Sequence, residues 1–379
     1  MTAPHLKNLV IEADEVAPLA LWKTIKTLGR TSCVLDKGVW AGTLTTADFP
    51  VYSPALPELR AGDLCSRPGL TLEDGPYLFV RARDIFNRRP SIKMIPVLDR
   101  DRQLVEVIFK FQAFYEDYFR EPDRFHSLKP QVTGDRDFPY MYYAHCLWRA
   151  AAEARRNQYP AFSALEFGVA GGNGLICAQW HARAIAKIFG LTIELYGFDT
   201  GRGLPPLLDY RDLPHVFGPD YYAMDDQSLL RERLNGAQLV IGDIRETVPT
   251  FLDQFRPAPI GVMLIDVDTY HSALAALNLL NQSEEYFLPR VQMYFDDICF
   301  GREESGEALA IRDFNAQGQF IKIAPETTYT PPTETLDRDY NSFLYRLKEV
   351  HRFQHPLYSR NPNQALNQGS TRHRFRIRY

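Results

Sequence analysis

Two short stretches hold most of the residues able to do chemistry. Ile260-Gly-Val-Met-Leu-Ile265 runs into Asp266-Val-Asp268-Thr-Tyr270-His271-Ser272, and about 30 residues on Val291-Gln-Met-Tyr-Phe295 runs into Asp296-Asp297. Each apolar run fits a strand buried on both faces of a parallel sheet. Such strands carry the acids to the carboxyl edge, where ligands gather in open α/β sheets. Close carboxylates repel and raise one another's pKa unless a cation lies between them. Hard oxygen donors of this charge favour Mg²⁺ or a similar divalent ion. One acid at a strand end commonly caps the next helix; four at two strand ends exceed what capping needs. Asp266, Asp268 and His271 are the candidate bases, the imidazole having a pKa near neutrality. A His that only hydrogen-bonds a neighbour on its helix face is the competing reading.

A second kind of chemistry is written in Glu166-Phe-Gly-Val-Ala-Gly-Gly-Asn-Gly174, between an apolar approach and a helical continuation from Leu175. Gly168, Gly172 and Gly174 permit a sharp turn and the close approach of a ligand, and the helix start offers free amides. The spacing, E-x-G-x-x-x-G-x-G, differs from the G-x-G-x-x-G that seats a dinucleotide, which argues against a nicotinamide oxidoreductase. The next strand, 191–198, ends in Asp199, placed to hydrogen-bond ribose hydroxyls or, more plainly, to cap the Thr200-Gly201 turn. Asp243 and Ile244, after the strand 237–241, are placed to meet adenine.

These residues need a scaffold. From residue 140 the pattern alternates helix and strand: helix 140–156, the strand before Glu166, helix 175–189, strand 191–198, helix 228–234, strand 237–241, strand 260–265, helix 272–280, strand 291–295, helix 307–314 and strand 320–323. That alternation predicts an α/β, doubly wound, mostly parallel sheet, with 342–348 as an antiparallel edge strand. The connection 201–226, with four prolines, Tyr210, Phe217, Tyr221, Tyr222 and His215, is long enough to act as a lid. Residues 1–125 form an N-terminal auxiliary module with its linker, and 126–379 the main domain. Within the module, helical spacing marks 17–28 and 104–120, strand-like pieces fall at 32–35, 77–82 and 93–98, and the whole is a small α+β unit. Substrate recognition or dimerisation, giving a homo-oligomer, are the roles open to it. Arg81, Arg83, Arg88 and Arg89 could meet an anion but read more simply as a solvated rim. The basic tail from His351, ending Arg372-His-Arg-Phe-Arg-Ile-Arg378, reads likewise as solvated or edge-packed.

Composition limits the partners. With 379 residues, 45% hydrophobic and 24% charged, a sizeable core is expected. A net charge of −4 supplies no field for a polyanion, so nucleic acid is excluded as a partner. No apolar window approaches the ~18 residues of a membrane span, and the N-terminus has no secretory pattern. Five cysteines without a C-x-x-C pair fit neither a disulfide framework nor a zinc knuckle. The expectation is a soluble, cytoplasmic protein.

Taken in order, Glu166-Phe-Gly-Val-Ala-Gly-Gly-Asn-Gly174, Gly197-Phe-Asp-Thr-Gly-Arg-Gly-Leu-Pro205, Gly242-Asp-Ile-Arg-Glu-Thr-Val-Pro249, Leu264-Ile-Asp-Val-Asp-Thr-Tyr-His-Ser272 and Phe295-Asp-Asp297 resemble the macrocin O-methyltransferase family over roughly residues 140–325. The resemblance implies a Rossmann-like fold, S-adenosylmethionine (SAM) and Mg²⁺ as cofactors, and methylation of a hydroxyl on a glycoside. It implies Asp266, Asp296 and Asp297 as metal ligands, with Glu166, Gly168, Gly172, Gly174 and Asp199 around SAM. The sequence departs from the family at Thr200-Gly-Arg-Gly203, where Ser-Phe-Glu-Gly is more usual, and at Tyr270-His271-Ser272, where Tyr-Glu-Ser is. An aromatic hydroxyl as acceptor, and a catalytically silent binding or assembly subunit, are the alternatives.

Overall fold

A strand such as Ile260–Ile265, with no polar face, must be covered on both sides. In the computed structural model, which describes residues 10–14, 31–37, 39–45, 60–61, 70–89, 92, 94–113, 140–224, 227–300, 304–326 and 345–359, it is buried at every position. The elements in chain order are β1 (Val10–Glu12), β2 (Thr31–Asp36), β3 (Val39–Thr45), β4 (Leu72–Glu73), α1 (Leu78–Arg88), β5 (Met94–Leu98), β6 (Leu104–Phe109) and α2 (Lys110–Ala113). Then come α3 (Met141–Arg156), β7 (Ala161–Phe167), α4 (Asn173–Phe189), β8 (Thr192–Asp199), α5 (Gln227–Arg233), β9 (Ala237–Ile241), α6 (Ile244–Phe255) and β10 (Ile260–Ile265). The series closes with α7 (Tyr270–Leu277), β11 (Phe287–Phe295), α8 (Gly306–Gln317), β12 (Ile321–Pro325) and β13 (Leu347–Arg352).

The main sheet has seven strands in the order β12-β13-β11-β10-β7-β8-β9. β11, β10, β7, β8 and β9 pair in parallel, and β13 runs antiparallel to both its neighbours. Because side chains alternate along a strand, two cores form from one sheet. Ala164, Val262, Leu264 and Tyr294 face the side covered by α3 and α4, whereas Leu165, Phe167, Met263, Ile265, Met293 and Phe295 face α6, α7 and α8. This is a doubly wound, Rossmann-like fold, as the alternation predicts.

Before α3 lie two three-stranded sheets, β1-β2-β3 and β4-β5-β6. Their apolar residues Leu35, Trp40, Leu98, Val107 and Phe109 belong to the same buried cluster as α3 and α4, and Phe109 stacks on Trp180 at 5.3 Å. Among the described residues, no helix is long and apolar enough to cross a membrane.

Three expectations are corrected. Residues 104–109, expected as helix, form β6: the three-and-four spacing of Leu104, Val107 and Ile108 also suits a short β-branched strand, and pairing with β5 decides it. Tyr77–Ala82, expected as strand, opens α1, whose Ala82 and Phe86 share a buried face. The antiparallel strand spans 347–352 and sits one place in from the edge, because β12 pairs outside it. The helix expected at 17–28, the linker around 125 and the tail beyond 359 lie outside the described residues.

Candidate functional site

The strand ends carry the site. β10 pairs with β7 on one side and β11 on the other, with Leu264 opposite both Glu166 and Tyr294, so the chain leaves three neighbouring strands at one level. A cavity of about 330 Å³ opens there. Its walls include Glu166, Gly168, Gly171, Gly174, Asp199, Asp243, Ile244, Asp266, Asp268, Asp296 and Asp297. Of the residues singled out from sequence, Gly172 and His271 are not in its wall.

Asp266, Asp296 and Asp297 each offer an atom within 4.8 Å of the others. Burial first, then Asp296 and Asp297, push the Asp266 carboxyl well above its ordinary range. Asp297 and Asp268 are also driven up, chiefly by burial. Such repulsion is what a bound cation would relieve. Arg346 holds one flank, its Nη1 donating at 3.0 Å to Asp296 Oδ1, which also accepts from Tyr294 Oη at 2.6 Å. Tyr294 lies two residues before Asp296, a spacing legible in a strand; Arg346, 50 residues on, gave no local signal. Glu307, likewise missed, is fully buried at the start of α8, where its Oε2 accepts from Asp297 N at 3.0 Å.

In the same cavity, Glu166 Oε1 accepts from Tyr143 Oη at 2.7 Å, while Oε2 is buried with no hydrogen-bond partner among the described residues. Burial, with smaller contributions from Asp266 and Asp199, pushes this carboxyl well up despite the Tyr143 bond. A buried acceptor left unmatched is costly; it suits a cationic or N–H group of a ligand. Asp199 is spent mostly on the loop: Oδ2 accepts from Val169 N and Ala170 N, both at 2.9 Å, and Oδ1 from Gly201 N at 2.6 Å. Its capping role is therefore realised, and of about four acceptor sites on the carboxylate one, on Oδ1, is left for a ligand. Asp243 caps α6 by accepting from Arg245 N at 2.9 Å and pairs with the Arg245 side chain, which lowers its pKa.

Gly168 and Gly172 take the positive φ that a sharp turn needs, as expected, and the motif glycines also stand close to other protein atoms. A Cβ at Gly168 would lie 1.7 Å from the Asp266 carbonyl oxygen, at Gly172 2.2 Å from Leu230, and at Gly174 2.0 Å from Glu166 Oε1. At all three a methyl would meet protein atoms, while Gly168 and Gly174 also line the cavity. Gly171, outside the expected spacing, lines the cavity and has nothing within 4 Å of such a Cβ. Strain concentrates in the same walls: Tyr140, Ala170, Tyr222 and Asp268 all have positive φ, each costing about 1–2 kcal/mol.

The expected lid is an anchored loop. Leu204 N donates to Tyr221 O at 2.8 Å, and Leu204, Leu213 and Phe217 form a small core, so that Gly203, Leu204, Tyr221 and Tyr222 wall the cavity. Its anchor is His271 on α7. The ring Nδ1 lies 2.9 Å from Asp212 Oδ2, and Arg211 Nη2 lies 3.2 Å from Nε2. Arg211 can only donate, which makes Nε2 the acceptor and Nδ1–H the donor to Asp212. Both ring nitrogens are engaged in the latch.

Sheet order, glycine turn and strand-tip acids define a Rossmann-like α/β protein with an acid-lined cavity at the carboxyl edge of its sheet. No protein-family model and no characterised protein matches the chain by sequence. Among solved structures it is similar to the O-methyltransferase NovP (15% identity over 56% of this chain and 79% of that one, TM-score 0.38). It is similar also to CalS11, a calicheamicin methyltransferase (17%, 65% and 92%, TM-score 0.36). A further likeness, to CBSX2 in complex with AMP, covers 29% of this chain and 88% of that one, at 17% identity and a TM-score of 0.25. At these TM-scores the likenesses decide nothing about activity.

Proposed function

We propose that this chain is a SAM-dependent, divalent-metal-dependent O-methyltransferase acting on a hydroxyl of a sugar or glycosylated natural product. The observation that carries the reading is the set of Asp266, Asp296 and Asp297, with ligand atoms within 4.8 Å of one another, in one cavity with the unmatched Glu166 carboxylate oxygen. The acceptor class comes from the five-segment resemblance to the macrocin O-methyltransferases.

The residues present fit both groups. Asp266, Asp296 and Asp297 would hold Mg²⁺, an all-oxygen donor set of the right charge. Glu166, Gly168, Gly171 and Asp199 would surround SAM, with Glu166 Oε2 matched to its cationic amino group. When bound, SAM supplies an electrophilic methyl and the cation lowers the pKa of a hydroxyl that reaches it. Arg346 and Tyr294 fix the Asp296 carboxylate, and Glu307 fixes the backbone at Asp297, so the donors are oriented before any ligand arrives. Tyr221 and Tyr222 help exclude water, which strengthens the remaining electrostatic interactions. Asp266 and Asp268 are the candidate proton acceptors, since the latch occupies His271.

Calorimetric titration with SAM, together with a methyl-transfer assay on a glycoside panel with and without chelator, tests the proposal. Asp296→Ala combined with Asp297→Ala should keep SAM binding and lose metal-stimulated transfer. Transfer by that variant at the parental rate in the presence of chelator would eliminate the metal role, and absence of SAM binding by the parent would eliminate the function.

A further inference from the structure

Two tyrosines of the loop 201–224 are placed in a way that stability does not explain. Tyr221 and Tyr222 line the acid cavity yet are 53% and 58% exposed, so they stand at its opening. Tyr222 has φ 62° and Asp220 φ 65°, a region that L-residues avoid and that is a genuine outlier for a bulky side chain. The turn is held rigidly in that shape. Leu204 N donates to Tyr221 O at 2.8 Å and Asp220 N to Leu204 O at 3.0 Å, while a Cβ on Gly203 would fall 2.5 Å from Asp220 O. Burial of the rings could offset the strain, but both residues leave more than half their surface in water. Strain enforced by the surroundings at a cavity mouth points to a ligand contact.

The two rings meet at 85° with centroids 6.2 Å apart. Phe300, 56% exposed, adds to this aromatic rim: its N–H donates to Asp297 O at 3.0 Å, and its ring meets Phe217, part of the loop's small core, at 6.0 Å. Burial first, then the charges of Asp268, Asp297 and Asp266, raise the Tyr222 phenol pKa, which sets this ring beside the strand-tip acids. Among the described residues lining the cavity, none is a lysine, arginine or histidine. An anionic group entering here would meet carboxylates and no cation of the wall. Resting on the methyltransferase reading above, we infer that Tyr222, with Tyr221 and Phe300, binds the aglycone of the acceptor, and that this aglycone is a neutral, flat aromatic group. Its ring would make offset or edge-to-face contacts with the rim while the sugar hydroxyl reaches Asp266, Asp296 and Asp297. A free sugar lacks the aromatic part, and a sugar still carrying a diphosphate lacks a cationic partner in the wall.

Calorimetric titration of the full-length protein in chelator, with and without SAM, compares 1-naphthyl β-D-glucoside with methyl β-D-glucoside, cyclohexyl β-D-glucoside and uridine diphosphate glucose. The naphthyl glucoside should bind at least about tenfold tighter than each of the others. Tyr222→Ala should weaken it about tenfold, with little effect on the methyl glucoside and none on SAM, whereas Tyr222→Phe should keep most of the affinity. No saturation by about 10 mM, equal affinity for the naphthyl and cyclohexyl glucosides, tighter binding of uridine diphosphate glucose, or undiminished binding by folded Tyr222→Ala would each overturn the assignment. Loss of SAM affinity in Tyr222→Ala would overturn it too, by placing the ring on the cofactor. The two readings fail separately, because these titrations need no turnover. A parent that prefers the naphthyl glucoside but does not bind SAM ends the methyltransferase reading and leaves the aromatic subsite standing. One that binds SAM without that preference ends the aglycone site alone.

Discussion

In the proposed site Glu166 would act as an anion although burial opposes its charge, and a cationic ligand group at its unmatched oxygen would resolve that conflict. Glu166→Gln keeps the size and an acceptor for Tyr143 but removes the charge. SAM affinity should fall on the order of 30-fold or more, as when one partner of a buried charge pair is removed, with an unchanged circular dichroism spectrum. Parental affinity in calorimetry would remove Glu166 from the site. The glycines make a paired prediction. Gly168→Ala must push a methyl into the Asp266 carbonyl at positive φ, and the protein should lose several kcal/mol or fail to fold. Gly171→Ala meets no protein atom, so it should melt with the parent yet bind SAM more weakly, because its methyl enters the cavity wall. If both variants behave alike in melting and binding, the division between packing glycine and ligand glycine is wrong. The sequence motif marked the turn correctly but not this division, since spacing alone does not reveal which atoms stand beside each Cα.

Elements were most legible where composition left one solution. The all-apolar run 260–265 and the segment 237–241 are strands with the expected bounds, because two buried faces or a flanking glycine turn fix them. Around 77–82 and 104–109 the windows were too short to separate a period of two from one of 3.6, and tertiary partners chose. His271 shows the same limit for a side chain: its place after a strand-tip acid left a base and a neighbour-bonded imidazole both open, because its partner Asp212 lies 59 residues earlier in the loop. The latch yields its own prediction. His271→Ala should raise cleavage within 201–224 by limited proteolysis and raise the acceptor KM on the order of tenfold while kcat changes less. His271→Gln, which can still donate to Asp212, should recover part of both. A collapse of kcat with an unaltered KM and intact loop would instead make the imidazole the base.

At the scale of the whole molecule, the question is whether the N-terminal sheets and the main sheet fold as one unit. Composition and the proline-rich stretches suggested a separate module, with its boundary near 125 outside the described residues. The packing adds a constraint: Trp40, Leu98, Val107 and Phe109 belong to a buried cluster continuous with Trp180 and the helices of the main sheet. A shared core couples the two parts, because opening one exposes apolar surface of the other at roughly 25 cal/mol per Å². The full chain should therefore unfold in a single calorimetric transition. Trp180 is 8% exposed and stacks on Phe109, so Trp180→Ala should cost about 3–5 kcal/mol and lower Tm by about 5 °C. Because that cost falls on the junction, the variant should also split the transition in two, the N-terminal part melting first. Two transitions already present in the parent, or a Trp180→Ala variant that melts with it, would show the parts to be independent.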